Sequence, residues 1–419
     1  VLVERDVFGQ AVTCGSAATV GGWNAALADI FDFRGDPGAT LADLTTADGD
    51  FMMGLVVTTA GAVLGGDDPR GVGVREGLLE VARRSAGATL RERRHVEALV
   101  DLVRGNFTEA AVKWDAVVAD HPHDIVATRI AHDIYLHVGD DDRRLVSSRE
   151  AFAAWQPGEP GYGWTAGQLA FALEEAGHFA EAERHGRMAL EVDPVDVWAL
   201  HALAHVFEMK ERHDEAVEHL RSTRAAWEER DHLALHLLWH LLIRLVAARE
   251  FDECLAEFDS QIGAVDRAFG LTDLTSLMWR LELAGCDVGD RWATIAKKWR
   301  NHDQLHTTGF LDLHAALAFA ACPEDPGAPT FWEGLDVCHR DDNSENDQTF
   351  EAVVRPMAEA ISDYREGHHA EASHAILGLV GLISRVGGSI AQRDLFVRTG
   401  QDASRRAGSE VQLMEEESR

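Results

Sequence analysis

The sequence predicts an all-α chain in which antiparallel helix pairs stack into an α/α superhelical solenoid. Three observations predict it. Alanine, leucine, glutamate and arginine, all strong helix formers, dominate a chain that holds only 10 prolines. Alternating β-branched runs are few, and glycines and prolines fall between apolar-periodic segments, where helix ends belong. The chain is also 419 residues long, beyond the roughly 250–300 residues at which a single core stops growing. Either two domains or a repeat stack is required, and recurring small residues select the stack.

In chain order, residues 1–70 mix apolar segments with the turns GDPGA and GGDDPRGVG and read as an N-terminal helical cap. Residues 71–322 carry the repeats, and no β-sheet is expected. Gly105, Ala110 and Pro122 stand at relative positions 0, 5 and 17, and Gly177, Ala182 and Pro194 repeat them 72 residues on. Glu211 and Ala216, Arg249 and Cys254, and Gly367 and Ala372 keep the first two places of the register. A glycine permits the tight turn between two helices, the small residue lets them approach, and proline ends the second helix. Residues 323–348 hold a Pro/Gly stretch and then an acidic one, and read as a connecting loop. Residues 349–419 read as a last helical repeat or cap with a solvated tail, EEESR.

A period near 34 with this punctuation resembles the tetratricopeptide repeat, whose first helices line a concave face. A closer resemblance covers most of the chain. RERRHVEAL (91–99), HPHDIVATRIAHDIYLHVGD (121–140), GYGWTAGQLAFALEEAG (161–177) and DVWALHALAHVFEM (196–209) are similar to the tetratricopeptide repeat protein 38 family. So are LHLLWHL (235–241), LTDLTSLMWRLELAG (271–285), GDRW (289–292) and GGSIAQRD (387–394), in the same order. The resemblance implies the repeat architecture and no established reaction. The chain departs from it at Ala47-Asp48-Gly49-Asp50, where the family suggests an Asp-Pro pair.

Composition bounds the function. With 71 acidic against 39 basic residues, the formal charge of -32 repels phosphate backbones and argues against nucleic-acid partners. Such acidity also fits a saline habitat. The 5 cysteines are scattered, without the clustering of a disulfide framework or a thiolate zinc site, which points to a reducing compartment. No run approaches the roughly 18 apolar residues of a membrane span, and no secretory signal is visible at the start, so a cytoplasmic protein is expected. Phosphate loops, nucleophile elbows and dinucleotide fingerprints are missing.

The chemistry concentrates between Val197 and Arg244. His201 and His205 stand four apart with Glu208 three further on, and His236 and His240 repeat the spacing 31 residues after His205. Residues four apart share a helix face. In the repeats it resembles, positions about 13, 10, 6, 3 and 2 residues before each turn face the groove. Those places hold Trp198, His201, His205, Glu208 and Met209 before Glu211, and Trp164, Gly167, Phe171, Glu174 and Glu175 before Gly177. His236 heads the unit before Arg249, with His240 beside the groove position, and Asp133 precedes Gly139 by six. In the last unit Val354, Met357, Ile361 and Tyr364 predict packing.

Two sharp readings stay open. His201, His205, His236 and His240 suit a divalent metal, zinc or iron, although the spacing is not the H-E-x-x-H of zinc proteases. Without a metal, His205, His240, Glu208 and Glu174 supply acid–base groups, with His201, His236, Trp164, Trp198, Asp133 and Arg280 binding a polar small molecule. The bland readings stand beside them. A helical histidine is more often a hydrogen-bonded core or surface residue, tryptophans usually fill space, Asp273 reads as an N-cap, and His314 is undecided. The alternative function is a non-catalytic scaffold holding a peptide or protein partner in the same groove. Its usual asparagine, lysine and arginine clamps are replaced here by histidine, glutamate and tryptophan.

Overall fold

The computed structural model describes residues 2–339 and 343–408, and the EEESR tail lies outside them. Its N-terminal region corrects the expectation of a purely helical cap. β1 (Leu2–Arg5) and β2 (Ala11–Cys14) form an antiparallel hairpin. The Asp6 carboxylate accepts from Phe8 and Gln10 N–H at 3.0 and 2.8 Å, closing the turn around Gly9. The hairpin ends on a buried carboxylate, since Glu92 accepts from Thr13 N at 2.8 Å. Three helices follow, α1 (Ala17–Asp32), α2 (Pro37–Ala47) and α3 (Met53–Leu64), then α4 (Val72–Arg84).

From there the chain is an all-α repeat solenoid. Its pairs are α5/α6 (Leu90–Val103, Phe107–Asp120), α7/α8 (Ile125–Val138, Asp141–Ala153) and α9/α10 (Tyr162–Glu175, Phe179–Val192). Next come α11/α12 (Val197–Met209, His213–Ser222), a short α13 (Arg224–Trp227) and α14/α15 (Asp231–Ala248, Phe251–Gln261). The pairs α16/α17 (Ala268–Leu283, Arg291–Arg300) and α18/α19 (Gly309–Ala321, Ala328–Val337) continue the stack. The segment expected as a connecting loop therefore contains a helix, α19, and most of another, α20 (Glu345–Thr349). Pro329 sits in the first turn of α19, where its missing N–H has no helical partner to lose. The last pair is α21/α22 (Arg355–Glu366, His369–Leu379), and α23 (Ile390–Arg406) closes the chain.

Each turn read from the sequence is a left-handed residue: φ is +76° at Gly105, +79° at Gly177, +55° at Glu211, +63° at Arg249 and +89° at Gly367. Five residues later Ala110, Ala182, Ala216, Cys254 and Ala372 are all buried between paired helices. The first helices of successive pairs, α9 on α11, α14 on α16, α16 on α18 and α18 on α21, form the inner layer.

Two of the chain's own segments cover that layer. α23 lies against it: Glu175 accepts from Ile390 N at 3.0 Å, Arg280 donates to Ala391 O at 2.7 Å, and Trp279 Nε1 donates to Thr399 Oγ1 at 2.9 Å. The end of α1 covers the neighbouring units, with Phe31 stacked on Trp164 at 4.7 Å and Phe33 on Trp198 at 5.8 Å. The solenoid also closes on itself, because Thr108 N at the start of α6 donates to Glu345 at 2.7 Å. No helix among the described residues is long and apolar enough to cross a membrane.

Candidate metal centre

α11 places the first two imidazoles. Asp196 caps it by accepting from Ala199 N at 2.9 Å, and the helix then buries all of its residues from Ala199 to Phe207. His201 and His205, one turn apart, meet with their Nε2 atoms 3.0 Å from each other. α14 brings the second pair against them. Ring centroids lie 4.4 Å apart for His205 and His240, 4.9 Å for His201 and His236, and 4.7 Å for His236 and His240. One ring nitrogen from each of the four lies within 4.8 Å of the others. His201, His205 and His240 are buried, while the His236 side chain keeps 16% of its exposure.

The outward faces of three imidazoles meet carboxylates. His236 Nδ1 lies 3.1 Å from both oxygens of Asp273, and His240 Nδ1 lies 3.2 Å from Glu208. His205 Nδ1 lies 3.3 Å from Glu174 and 3.6 Å from Glu175, contacts of charge and not of hydrogen-bond geometry. At His236 and His240 the carboxylate bound to Nδ1 fixes the ring and its tautomer and leaves Nε2 as the nitrogen free to take a metal, an arrangement usual among metal-binding histidines. Aromatic walls hold the rings: Phe171 stacks on His201 at 5.3 Å and Trp239 on His236 at 5.3 Å.

The electrostatics run in two opposite directions. Burial pushes His201 and His240 well below the ordinary imidazole range, and it brings His205 to about 4 against the pull of Glu175 and Glu208. Burial pushes Glu174 up to about 8 although Arg144 opposes it, and Glu175 up to about 7 with the Glu174 charge adding to the rise. His240 Nε2 and His201 Nδ1 are buried without a hydrogen-bond partner among the described residues. Unsatisfied buried nitrogens cost about 1–3 kcal/mol each. A divalent cation among neutral imidazoles would take the free lone pair of His240 Nε2 and supply positive charge beside the raised carboxyls.

The structure sorts the residues singled out by sequence. It brings together His201, His205, His236, His240, Glu208 and Glu174, and sets Trp198 beside His201 at 5.1 Å. It leaves Trp164 against Phe31, donating to Asp32 at 3.3 Å. Asp133 pairs with Arg129 at 2.7 Å, and that guanidinium lies over Phe33 and Trp198. Arg280 is tied to α23 through Ala391 O and Asp394, so it is spent on holding that helix. His314 lies 2.8 Å from Phe310 O and packs on Phe396, outside the cluster. Asp273 is not an N-cap: it lies inside α16, which Arg267 caps, and reaches His236.

Sequence reasoning placed Glu175 on the groove face without giving it a role, and it missed Arg144 and Arg393, which stand on helices the repeat register does not align with that face. Arg144 is fully buried, 3.7 Å from Glu175, with its guanidinium over the Phe171 ring. Arg393 comes from α23 to within 3.8 Å of Glu175.

No family model matches the chain. Among solved structures it is similar to a Rap protein complexed with competence and sporulation factor, at 14% identity and a TM-score of 0.45, over 76% of this chain and 96% of that one.

Proposed function

We propose that the chain is a helical-repeat metalloprotein whose inner layer holds one divalent transition-metal ion, zinc or iron, on His201, His205, His236 and His240. One observation carries the reading: four imidazole nitrogens converge within 4.8 Å, and three of the rings meet carboxylates on their outer sides. The 3.0 Å between His201 Nε2 and His205 Nε2 and the 4.8 Å limit on the set lie on either side of the edge of about 3.4 Å expected for four nitrogens at metal distances of about 2.0–2.1 Å. An all-imidazole set suits zinc, iron, copper or nickel and disfavours magnesium and calcium, which want oxygen. When bound, the ion supplies Lewis acidity to a polar small molecule. His236, the least buried of the four, marks the side from which such a molecule arrives. Glu174, 3.3 Å from His205 Nδ1, is the carboxyl group placed for acid–base exchange beside the ion.

The resemblance to the tetratricopeptide repeat protein 38 family belongs to the same proposal, since its motifs carry His201, His205, His236, His240, Asp273 and Arg393. The scaffold reading ranks second. A peptide lying along the inner layer would have to replace α23, which already donates and accepts hydrogen bonds there.

The test is metal content after purification, chelation and reloading with zinc(II) or iron(II). The expected result is about one ion per chain, lost in His205→Gln and His240→Gln while helicity persists. A parent protein that retains no ion under reloading overturns the reading. Variants that lose their fold together with the ion make the imidazoles core residues.

A further inference from the structure

His205 faces two groups at once. Its Nε2 lies 3.0 Å from His201 Nε2, inside the four-imidazole cluster. Its Nδ1 points the other way, 3.3 Å from Glu174 Oε2 and 3.6 Å from Glu175 Oε1. All three side chains are buried, and one ligand atom from each lies within 4.8 Å of the others. Neither Glu174 oxygen nor His205 Nδ1 has a hydrogen-bond partner among the described residues. Buried charges in folded proteins are paired or coordinate metals.

The position on the helix sharpens the point. Glu174 and Glu175 end α9, in its last turn, where the helix dipole repels carboxylates and attracts cations. The neighbouring guanidinium groups act on one side only. Arg144 and Arg393 approach Glu175 Oε2 at 3.7 and 3.8 Å, and both are shared with Asp141, at 2.6 and 3.5 Å. Ile390 N donates to the same Glu175 carboxylate. Glu174 Oε2, Glu175 Oε1 and His205 Nδ1 face one another on the other side. Two ligands at about 2.0–2.2 Å from one tetrahedral ion stand about 3.3–3.6 Å apart, and the contacts of His205 Nδ1 with the two carboxyl groups, 3.3 and 3.6 Å, match that edge.

We propose that Glu174, Glu175 and Nδ1 of His205 hold a second divalent transition-metal ion, which His205 bridges to the ion of the four-imidazole centre. The second site rests on the reading of that centre and extends it. One nitrogen with carboxylate oxygens suits zinc, iron or manganese. When the second ion binds, His205 gives its remaining ring proton to solvent and binds one ion through each nitrogen. Only that N–H bond breaks, and no electron is transferred. Ring nitrogens about 2.2 Å apart and two metal–nitrogen bonds set the ions about 6 Å from each other. The four-imidazole centre fills first, because the second ion has to displace a proton and bind beside an existing positive charge. Glu174 is therefore free for acid–base exchange while one ion is bound and becomes a ligand when two are.

The experiment titrates the full chain with copper(II), a paramagnetic probe that imidazole sites accept, and follows its electron paramagnetic resonance signal. Up to one equivalent the signal should grow, with the splitting of imidazole nitrogens. Past one equivalent it should fall, because two copper(II) ions bridged by one imidazolate pair their spins. Copper scattered on the acidic surface adds signal instead. In E174Q and in E175Q the fall should be lost while the first equivalent binds as before. A parent signal that keeps growing past one equivalent overturns the bridged site and leaves the four-imidazole centre standing. A fall that persists in folded E174Q and E175Q also overturns it. If neither variant folds, the parent titration decides. A first-equivalent signal that H240Q leaves unchanged overturns the four-imidazole centre, and the bridge with it.

Discussion

A buried imidazole resists gaining a proton and a buried carboxyl resists losing one, and the cluster on α9, α11 and α14 holds both. His201, His205 and His240, together with His132, His137 and His314, have folded pKa values below 6.5. Below pH 6.5 the unfolded chain takes up protons that the fold refuses, so stability falls with falling pH. Glu174, Glu175 and Asp196 run the other way, with folded values of about 8, 7 and 7, and His306 is raised as well. Above pH 6.5 the fold still holds protons that the unfolded chain has released, and stability falls with rising pH through about 8 or 9. Each group contributes up to about 1.4 kcal/mol per pH unit. The metal-free protein should therefore melt highest near pH 6.5, and a midpoint that climbs steadily to pH 8.5 would contradict the assignment. Glu174→Gln should flatten the alkaline limb.

The histidine pairs were legible because four-residue spacing on a helix has one geometric meaning. Asp273 was misread because its role depends on α14 crossing α16, which no local spacing encodes.

Among the elements, the turns carry the clearest test. Left-handed geometry costs a residue with a Cβ roughly 1–2 kcal/mol, a cost glycine avoids. Glu211 is exposed at φ +55°, so Glu211→Gly should stabilise the α11/α12 pair by up to about 1 kcal/mol. Gly177 has nothing within 4 Å of an added Cβ, so Gly177→Ala should cost a similar amount through backbone strain alone. Denaturant midpoints of the two variants should move in opposite directions. Between the paired helices, Ala182→Leu should cost about 1–3 kcal/mol, since the site is fully buried and has no room. The repeat register was readable down to turns that lack glycine, because the small residue five positions on kept it. The N-terminal hairpin was not readable, since its four-residue strands are too short to show a period and gain their burial from α5.

Over the whole molecule the formal charge of -32 is partly organised. Arg149–Glu181, Arg212–Glu183, Arg221–Glu253 and Arg291–Asp259 join outer helices of successive pairs, about one repeat apart in sequence. Exposed pairs of this kind contribute about 0–1 kcal/mol each, too little to offset general repulsion among 71 carboxylates. Raising salt from low to moderate should therefore raise the melting midpoint by screening. A falling midpoint would mean that the ion-pair ladder outweighs the repulsion. The solenoid was legible as a whole from its turns and small residues, but its closure by α23 was not. Arg280 reads as a ligand-binding residue until α23 is seen lying on it.

The centre itself is tested most directly by X-ray absorption at the metal edge of the zinc- or iron-loaded protein. The account predicts a first shell of about four nitrogens near 2.0–2.1 Å with the outer-shell scattering of imidazole rings. His240→Gln should remove one nitrogen or abolish binding. A shell of oxygens, or fewer than three imidazoles, would contradict a four-histidine centre and place any bound metal elsewhere on the acidic surface.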